Sequence, residues 1–267
     1  LFRSKSGVQV IYLIHNVLPH EPRPWDALLA RLALRGGTRF IVQTPLERER
    51  LLRLLPGRSV DLCPHPVYDL FSAQKYPRQE ARQRLGLPED IPVILFFGMV
   101  RAYKGLKYLL EAAAGVIASG QPVHLIIAGE FWEDIALYQS QIDALGLTSS
   151  VRLDNRYIPN EEVGLYFSAA DLFTAPYTGG TQSGTIRIAL SFNLPMVISR
   201  QIADEDLINN QAGIIEVIQP EDIPQFSQAI SRVIHQLQDH PENGESGRSK
   251  PVRDGWQKLI DTLQASV

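Results

Sequence analysis

Two cations, Arg101 and Lys104, follow Gly98 in the stretch LFFGMVRAYKGLKYLLEAA (95–113), where an apolar run passes through a glycine into a helix-patterned segment. Cations at the start of a helix are ordinarily unfavourable, because its unpaired N–H groups already carry partial positive charge. Together with those N–H groups they make a mouth suited to a di-anion such as a diphosphate. Gly98, lacking a Cβ, lets a ligand or another loop approach the backbone there. The competing explanation is a pair of solvated surface cations on a turn, the ordinary fate of exposed Lys and Arg.

A second segment, PYTGGTQSGTIRIAL (176–190), places Gly179, Gly180 and Gly184 and the hydroxyls of Thr181, Ser183 and Thr185 just ahead of another helical pattern. Amides and hydroxyls in such a turn can hold phosphate oxygens without adding charge. It is not a Walker loop, since no Gly-Lys-Ser/Thr closes it, and taken alone it could equally be a flexible glycine turn. A third candidate is His15, at the end of the apolar run VQVIYLIHN (8–16). A zinc site built from His15, His20 and Glu21 is disfavoured, because the His spacing is not helical and Pro19 and Pro22 flank it.

The elements that must carry these residues alternate between short β-branched runs and helical periodicity, the signature of α/β units around a mostly parallel sheet. Strands are expected at 8–16, 39–44 and 60–67, with helices at 25–35 and 45–55. A polar stretch with Pro77 and Pro88 marks a domain junction, followed by strands at 93–98, 124–129, 151–155, 171–176, 196–199 and 213–217. Helices at 104–118, 133–145, 160–168, 184–193 and 221–238 sit between or after them, and a last helix covers 255–264. The division expected is 1–75, three strands of an incomplete unit; 76–250, a complete doubly wound unit; and 251–267, a terminal helix. HPENGESGRSKP (240–251) reads as a loop. In an open parallel sheet, ligands gather beyond the carboxyl ends of the strands, where both glycine turns fall.

Composition bounds what this fold can be doing. The 267 residues are 45% hydrophobic and 21% charged, which is globular. The lone Cys63 rules out an internal disulfide and fits a reducing, cytoplasmic setting. No apolar run of about 18 residues suggests a membrane span. Leu1 is not a methionine, so an N-terminally truncated chain is expected. The net charge of −3 is uneven, with ten Lys/Arg against four Asp/Glu in residues 1–60. Nucleic acid is disfavoured as a partner, since the arginines are scattered rather than striped. The basic end and the WDALLARLALR helix admit a peripheral membrane contact, although an ordinary core-facing helix is preferred.

In order and spacing, FFGMVRAYKGLKYLLEA, LIIAGEFW, VRLDNRYIPNEEVGLYFSAADLFTAPY and TQSGTIRIALSFNLPMVIS resemble the C-terminal domain of group 1 retaining glycosyltransferases of the GT-B fold. HNVLPHE (15–21) is similar to the active-site strand end of their N-terminal domain. The resemblance implies two Rossmann-like domains facing a cleft, a nucleotide-diphosphate sugar as donor, no cofactor and no metal. It implies that Arg101 and Lys104 bind the donor diphosphate, and that the loop at Gly98 lies against it. Tyr157 and Ile158 would meet the nucleobase through their backbone, and Ser183, Gly184 and Thr185 the phosphates. His15 would bond the transferred sugar. The family's paired glutamates correspond to Gly180 and Ile188, and its Gly-Gly segment is replaced by RQIADED (200–206), so sugar identity does not carry over. A divergent transferase is the preferred reading. A non-catalytic binder of nucleotide sugars is the alternative, and an epimerase of the same shape is disfavoured for want of carboxylates. The acceptor, whether glycan, lipid-linked or small molecule, is not indicated.

Overall fold

The structure, a computed structural model, describes residues 9–19, 23–66, 68–180, 182–203, 207–208, 214–239 and 254–264. The chain divides into two compact units, Leu1–Val67 with Val252–Val267, and Tyr68–Pro251.

In the first unit, strands β1 (Ile11–Ile14), β2 (Arg39–Val42) and β3 (Val60–Leu62) form a parallel sheet in that order. β3 stops short of the expected 67 because Pro64 and Pro66 have no N–H to give a ladder. Helix α1 (Asp26–Leu34) lies between β1 and β2, and α2 (Pro45–Leu54) between β2 and β3. The start of α2 is written locally: Pro45 has no amide to leave unpaired, and the Thr44 side chain accepts from the Glu47 amide at 3.2 Å. Helix α10 (Asp254–Gln264) groups with this unit, because Leu259 is buried with Ile41 and Cys63 and Leu263 packs beside them. The boundaries thus differ from those expected at 75/76 and 250/251. Burial pushes the Cys63 thiol above its ordinary range, with a hydrogen bond from Thr262 and the charge of Lys258 acting the other way.

The preference for a core-facing helix at 25–35 is corrected. No residue of α1 is buried, and Trp25, Leu28, Leu29 and Leu32 are all exposed. Ala30, Ala33 and Leu34 instead face Tyr12 and Leu13 of β1 across a cavity of about 450 Å³.

The second unit is one parallel sheet in the order β6-β5-β4-β7-β8-β9. Its strands are β4 (Val93–Phe97), β5 (His124–Ala128), β6 (Val151–Asp154), β7 (Leu172–Ala175), β8 (Met196–Ser199) and β9 (Ile215–Ile218). Helices α3 (Asp69–Ser72) and α4 (Arg78–Leu85) precede it. Helices α5 (Leu106–Ala118), α6 (Ile135–Ala144), α7 (Asn160–Ala169), α8 (Gly184–Ser191) and α9 (Ile223–Asp239) wrap it. Every side chain of VILFF in β4 is buried, as expected for the middle of a sheet covered on both faces. One hydrophobic cluster packs α4, α7 and α8 against the sheet, and another packs α5 and α9. The Arg82 guanidinium fastens α4 in place. It donates to the carbonyls of Ala169, Pro88, Glu89 and Ile91 and to the Asp171 carboxylate, which also accepts from the Val93 amide.

Chain order gives this sheet a switch point. From β4 the chain runs outward through β5 and β6, then returns to β7 on the other side of β4 and continues through β8 and β9. The connections leaving β4 and β7 therefore part company side by side, which opens a crevice between them. These are the two glycine turns singled out above.

The segments at 204–206 and 240–251, with His20, Glu21 and Thr181, lie outside the described residues.

Candidate functional site

The loop after β4 is built around three glycines with left-handed backbone, Gly98 (φ +99°), Gly105 (φ +72°) and, on the neighbouring β5 loop, Gly129 (φ +144°). A Cβ at Gly129 would sit 2.2 Å from the Gly98 carbonyl oxygen, and one at Gly105 would sit 2.1 Å from that of Pro176. No side chain can replace hydrogen there without parting the loops. Between Gly98 and Gly105 the chain makes a 3₁₀ turn, Ala102–Lys104. Lys104 thus ends that turn and is separated from α5 by Gly105, where a place in the first turn of the helix was expected.

The close approach at Gly105 locks the two switch-point loops together. The Tyr103 carbonyl accepts from the Thr178 amide at 2.7 Å, and the Tyr103 and Tyr177 rings meet edge to face at 5.9 Å between centroids. Ser199 of β8 donates to the Tyr177 carbonyl at 2.6 Å. Lys104 is brought to the second loop by this docking. Its Nζ lies 5.5 Å from the centre of the Tyr177 ring. A Cβ at Gly98 would be 3.3 Å from both Lys104 Nζ and Thr185 Cγ2, so both reach the same glycine. The hydroxyls close the group, with Ser183 Oγ 2.8 Å from Thr185 Oγ1 and 3.2 Å from Tyr177 Oη.

Ser183 is the N-cap of α8, yet its side chain makes no capping bond. The first amides of α8 are therefore not consumed by the cap residue, and the partial positive charge of that terminus adds to the ammonium. Lys104 is only 7% exposed, and among the described residues neither it nor Arg101 has a salt-bridge partner. The Lys104 Nζ has the Tyr177 ring beside it, a contact worth about 1–2 kcal/mol at most, and that ring does not neutralise the charge. An anion seated between Lys104, the Ser183–Thr185 hydroxyls and the α8 terminus would supply the counter-charge. Five buried side-chain polar atoms of the described residues have no hydrogen-bond partner, and three belong to these two loops: Arg101 Nε and both amide atoms of Gln182. Buried polar groups normally find partners, so among the described residues the unmet hydrogen-bonding capacity is concentrated in these two loops.

The other expected residues are distributed as follows. Arg101 lies three residues beyond Gly98 on the loop edge, with its guanidinium 4.1 Å from the Trp132 ring. Tyr157 is 70% exposed on the β6 loop, whereas Ile158 is buried in the core, so only its backbone can serve a ligand. Gly184 opens α8, with the Tyr68 ring 3.3 Å from where its Cβ would be. Burial pushes the Tyr68 hydroxyl above the usual tyrosine range, and the charge of Arg187 acts against that. Ile188 is buried among apolar side chains and Gly180 has a left-handed backbone (φ +95°), so neither position offers a carboxylate.

In the first unit His15 is exposed at the carboxyl end of β1, its ring 5.3 Å from that of His65. The turn beneath it is fixed by Glu47, fully buried, whose carboxylate accepts from the Val17 amide at 2.6 Å and from Arg50 at 2.7 Å. Thr44-x-x-Glu47 is a capping-box pattern that marks this glutamate in the sequence. Trp132, Tyr177 and Gln182 fall within the stretches LIIAGEFW, PYTGG and TQSGT, but their residue types alone give them no role there.

A doubly wound parallel sheet with two glycine-bearing loops meeting at its switch point defines a nucleotide-type α/β unit. The chain belongs to the glycosyl transferases group 1 family, whose model matches residues 91–236. It is 27% identical to D-inositol 3-phosphate glycosyltransferase 1 of Catenulispora acidiphila over 99% of its own length and 68% of that protein. It is 26% identical to the alpha-D-kanosaminyltransferase of Streptomyces kanamyceticus, over 79% of the chain and 54% of the relative. With the D-inositol 3-phosphate glycosyltransferase of Thermobispora bispora it shares 31% identity over 66% of the chain and 45% of the relative. The chain thus spans about half to two-thirds of the length of these relatives.

Among solved structures, Anabaena HepE in complex with UDP-glucose superposes with a TM-score of 0.77 at 18% identity, over 96% of this chain and 72% of that one. The sucrose-phosphate synthase of Thermosynechococcus elongatus gives 0.77 at 19% identity, over 100% of this chain and 70% of that one. The fold is that of the GT-B glycosyltransferases.

Proposed function

We propose that this chain takes a nucleotide-diphosphate sugar as donor and transfers its sugar, with retention, to an acceptor hydroxyl. The carrying observation is Lys104, buried without a carboxylate and directed at Gly98 beside Thr185. The names of the relatives, all glycosyltransferases, and the UDP-glucose held by HepE support the same reading.

In the proposed step, the bond between the sugar's anomeric carbon and the diphosphate oxygen breaks while the acceptor oxygen bonds to that carbon from the same face. The acceptor proton passes to the departing diphosphate. Negative charge builds on the leaving group, so catalysis rests on groups already aimed at it. Lys104 and Arg101 supply that charge, and the Ser183 and Thr185 hydroxyls with the amides from Gly184 onward hold phosphate oxygens. The backbone at Tyr157 and Ile158 receives the base. His15 bonds the transferred sugar in this reading, with Glu47 fixing the turn that bears it. The acceptor is a glycan, a lipid-linked sugar or a small polyol.

Replacing Lys104 with alanine is expected to lower kcat about a hundredfold or more, the usual consequence of losing a preorganised charge partner. A Lys104→Ala enzyme that transfers sugar at the parental rate would remove the basis of the proposal.

A further inference from the structure

We propose that Trp132 is a positioning residue for Arg101, its indole face holding the guanidinium toward the donor diphosphate without neutralising it. The inference rests on the diphosphate reading above and assigns a residue to which neither sequence motif pointed.

The two side chains are neighbours by construction. Beyond the ends of β4 and β5 the chains keep pairing: the Val100 amide donates to the Glu130 carbonyl at 2.8 Å, and the Trp132 amide donates to the Val100 carbonyl at 3.0 Å. Val100 and Phe131 form an isolated parallel bridge, which the contact of Gly129 with Gly98 makes sterically feasible. Arg101 and Trp132 follow immediately on the two paired edges, with the guanidinium carbon 4.1 Å from the ring centre.

A long arginine at a loop edge loses considerable side-chain freedom when it is held in one rotamer. A carboxylate is the common means of holding it, but it would cancel the charge that a phosphate requires. Of the acids flanking Trp132, Glu130 accepts from the Trp132 indole N–H at 3.4 Å and Glu133 accepts from the Tyr138 hydroxyl at 2.6 Å, and neither forms an ion pair with Arg101. An aromatic face attracts the cation through its quadrupole and leaves the in-plane N–H groups of the guanidinium available. Trp132 is 58% exposed, so the core does not require it. A large aromatic ring kept at the surface beside an arginine that has no ion-pair partner among the described residues is explained by what it does for that arginine.

The test is a double-substitution cycle on the full chain, read by calorimetric titration with UDP, GDP and ADP in turn. Arg101→Ala is expected to weaken the tightest of the three about tenfold or more, as loss of a charge-assisted contact does. Trp132→Ala should weaken it about threefold to fivefold, with an unchanged melting temperature, and Trp132→Phe should restore most of the loss. The double variant should bind as Arg101→Ala does, within about twofold, because Trp132 acts only through the arginine. Multiplicative losses in the double variant, or no recovery with phenylalanine, would overturn the positioning role. Unchanged affinity in Arg101→Ala, or no binding of any diphosphate by the parent, would instead overturn the reading on which it rests.

Discussion

Two buried cations of the same unit, Arg82 and Lys104, have opposite surroundings. Arg82 is fully buried, yet its donors reach four carbonyls and a carboxylate. Burial still pulls its guanidinium below the usual arginine range, with the charge of Asp171 pushing it back up. Lys104 is 7% exposed, has the Tyr177 ring 5.5 Å away, and among the described residues has no ion-pair partner. A cation that serves the fold is satisfied by the fold. On the proposed reading, Lys104 serves a ligand and is left without a carboxylate until that ligand arrives.

That contrast can be broken from the structural side first, where the effect is largest. Arg82→Ala takes the donor from four carbonyls and leaves Asp171 with only Arg78 and the Val93 amide, and should cost about 3–5 kcal/mol of unfolding free energy, as removing one member of a buried pair does. Urea denaturation measures it, and a loss below 1 kcal/mol would mean the network is ornamental.

Gly105→Ala tests the docking that unites the two loops. Its Cβ would press 2.1 Å from the Pro176 carbonyl oxygen at a φ of +72°, and the expected loss is about 1–3 kcal/mol with weakened diphosphate binding. Affinity equal to the parent would show that the loops need not touch.

The smallest effect belongs to His124. Burial first, then the charges of Arg152 and Arg82, hold its pKa below the ordinary histidine value. Below about pH 6.5 the unfolded chain takes up a proton that the folded one refuses, so stability falls as pH drops through that value. The fall ends only when the folded form also protonates. Melting curves between pH 7.5 and pH 5 should therefore decline less steeply for His124→Gln, by about 1–2 °C. Parallel slopes would exclude this histidine from the acid response.

Much of this was legible in the sequence, for stated reasons. Buried parallel strands are short continuous apolar runs, so VILFF and HLIIA announced themselves, and Met196–Ser199 was placed to the residue. The glycine turns and the two cations were visible because φ above zero and paired charge both leave marks in local composition. Partners far apart in the chain leave none. The Arg82–Asp171 pairing spans 89 positions, and the meeting of Arg101 with Trp132 depends on a parallel register that no local period encodes. The start of α5 was misjudged for a local reason, since Gly105 turns the backbone left-handed between Lys104 and the helix. The exposed face of α1 was misread because an amphipathic pattern says which residues share a side, not what that side meets.

The account's central claim is that Lys104 is held for a diphosphate rather than for the fold. Its most direct test is a joint measurement on the Lys104→Ala chain, calorimetric affinity for the best-bound of UDP, GDP and ADP together with melting temperature. The prediction is an affinity reduced by about tenfold or more with a melting temperature equal to the parent's or higher, since an unpaired buried charge has been removed. Parental affinity accompanied by a lowered melting temperature would contradict it and make Lys104 one more structural cation.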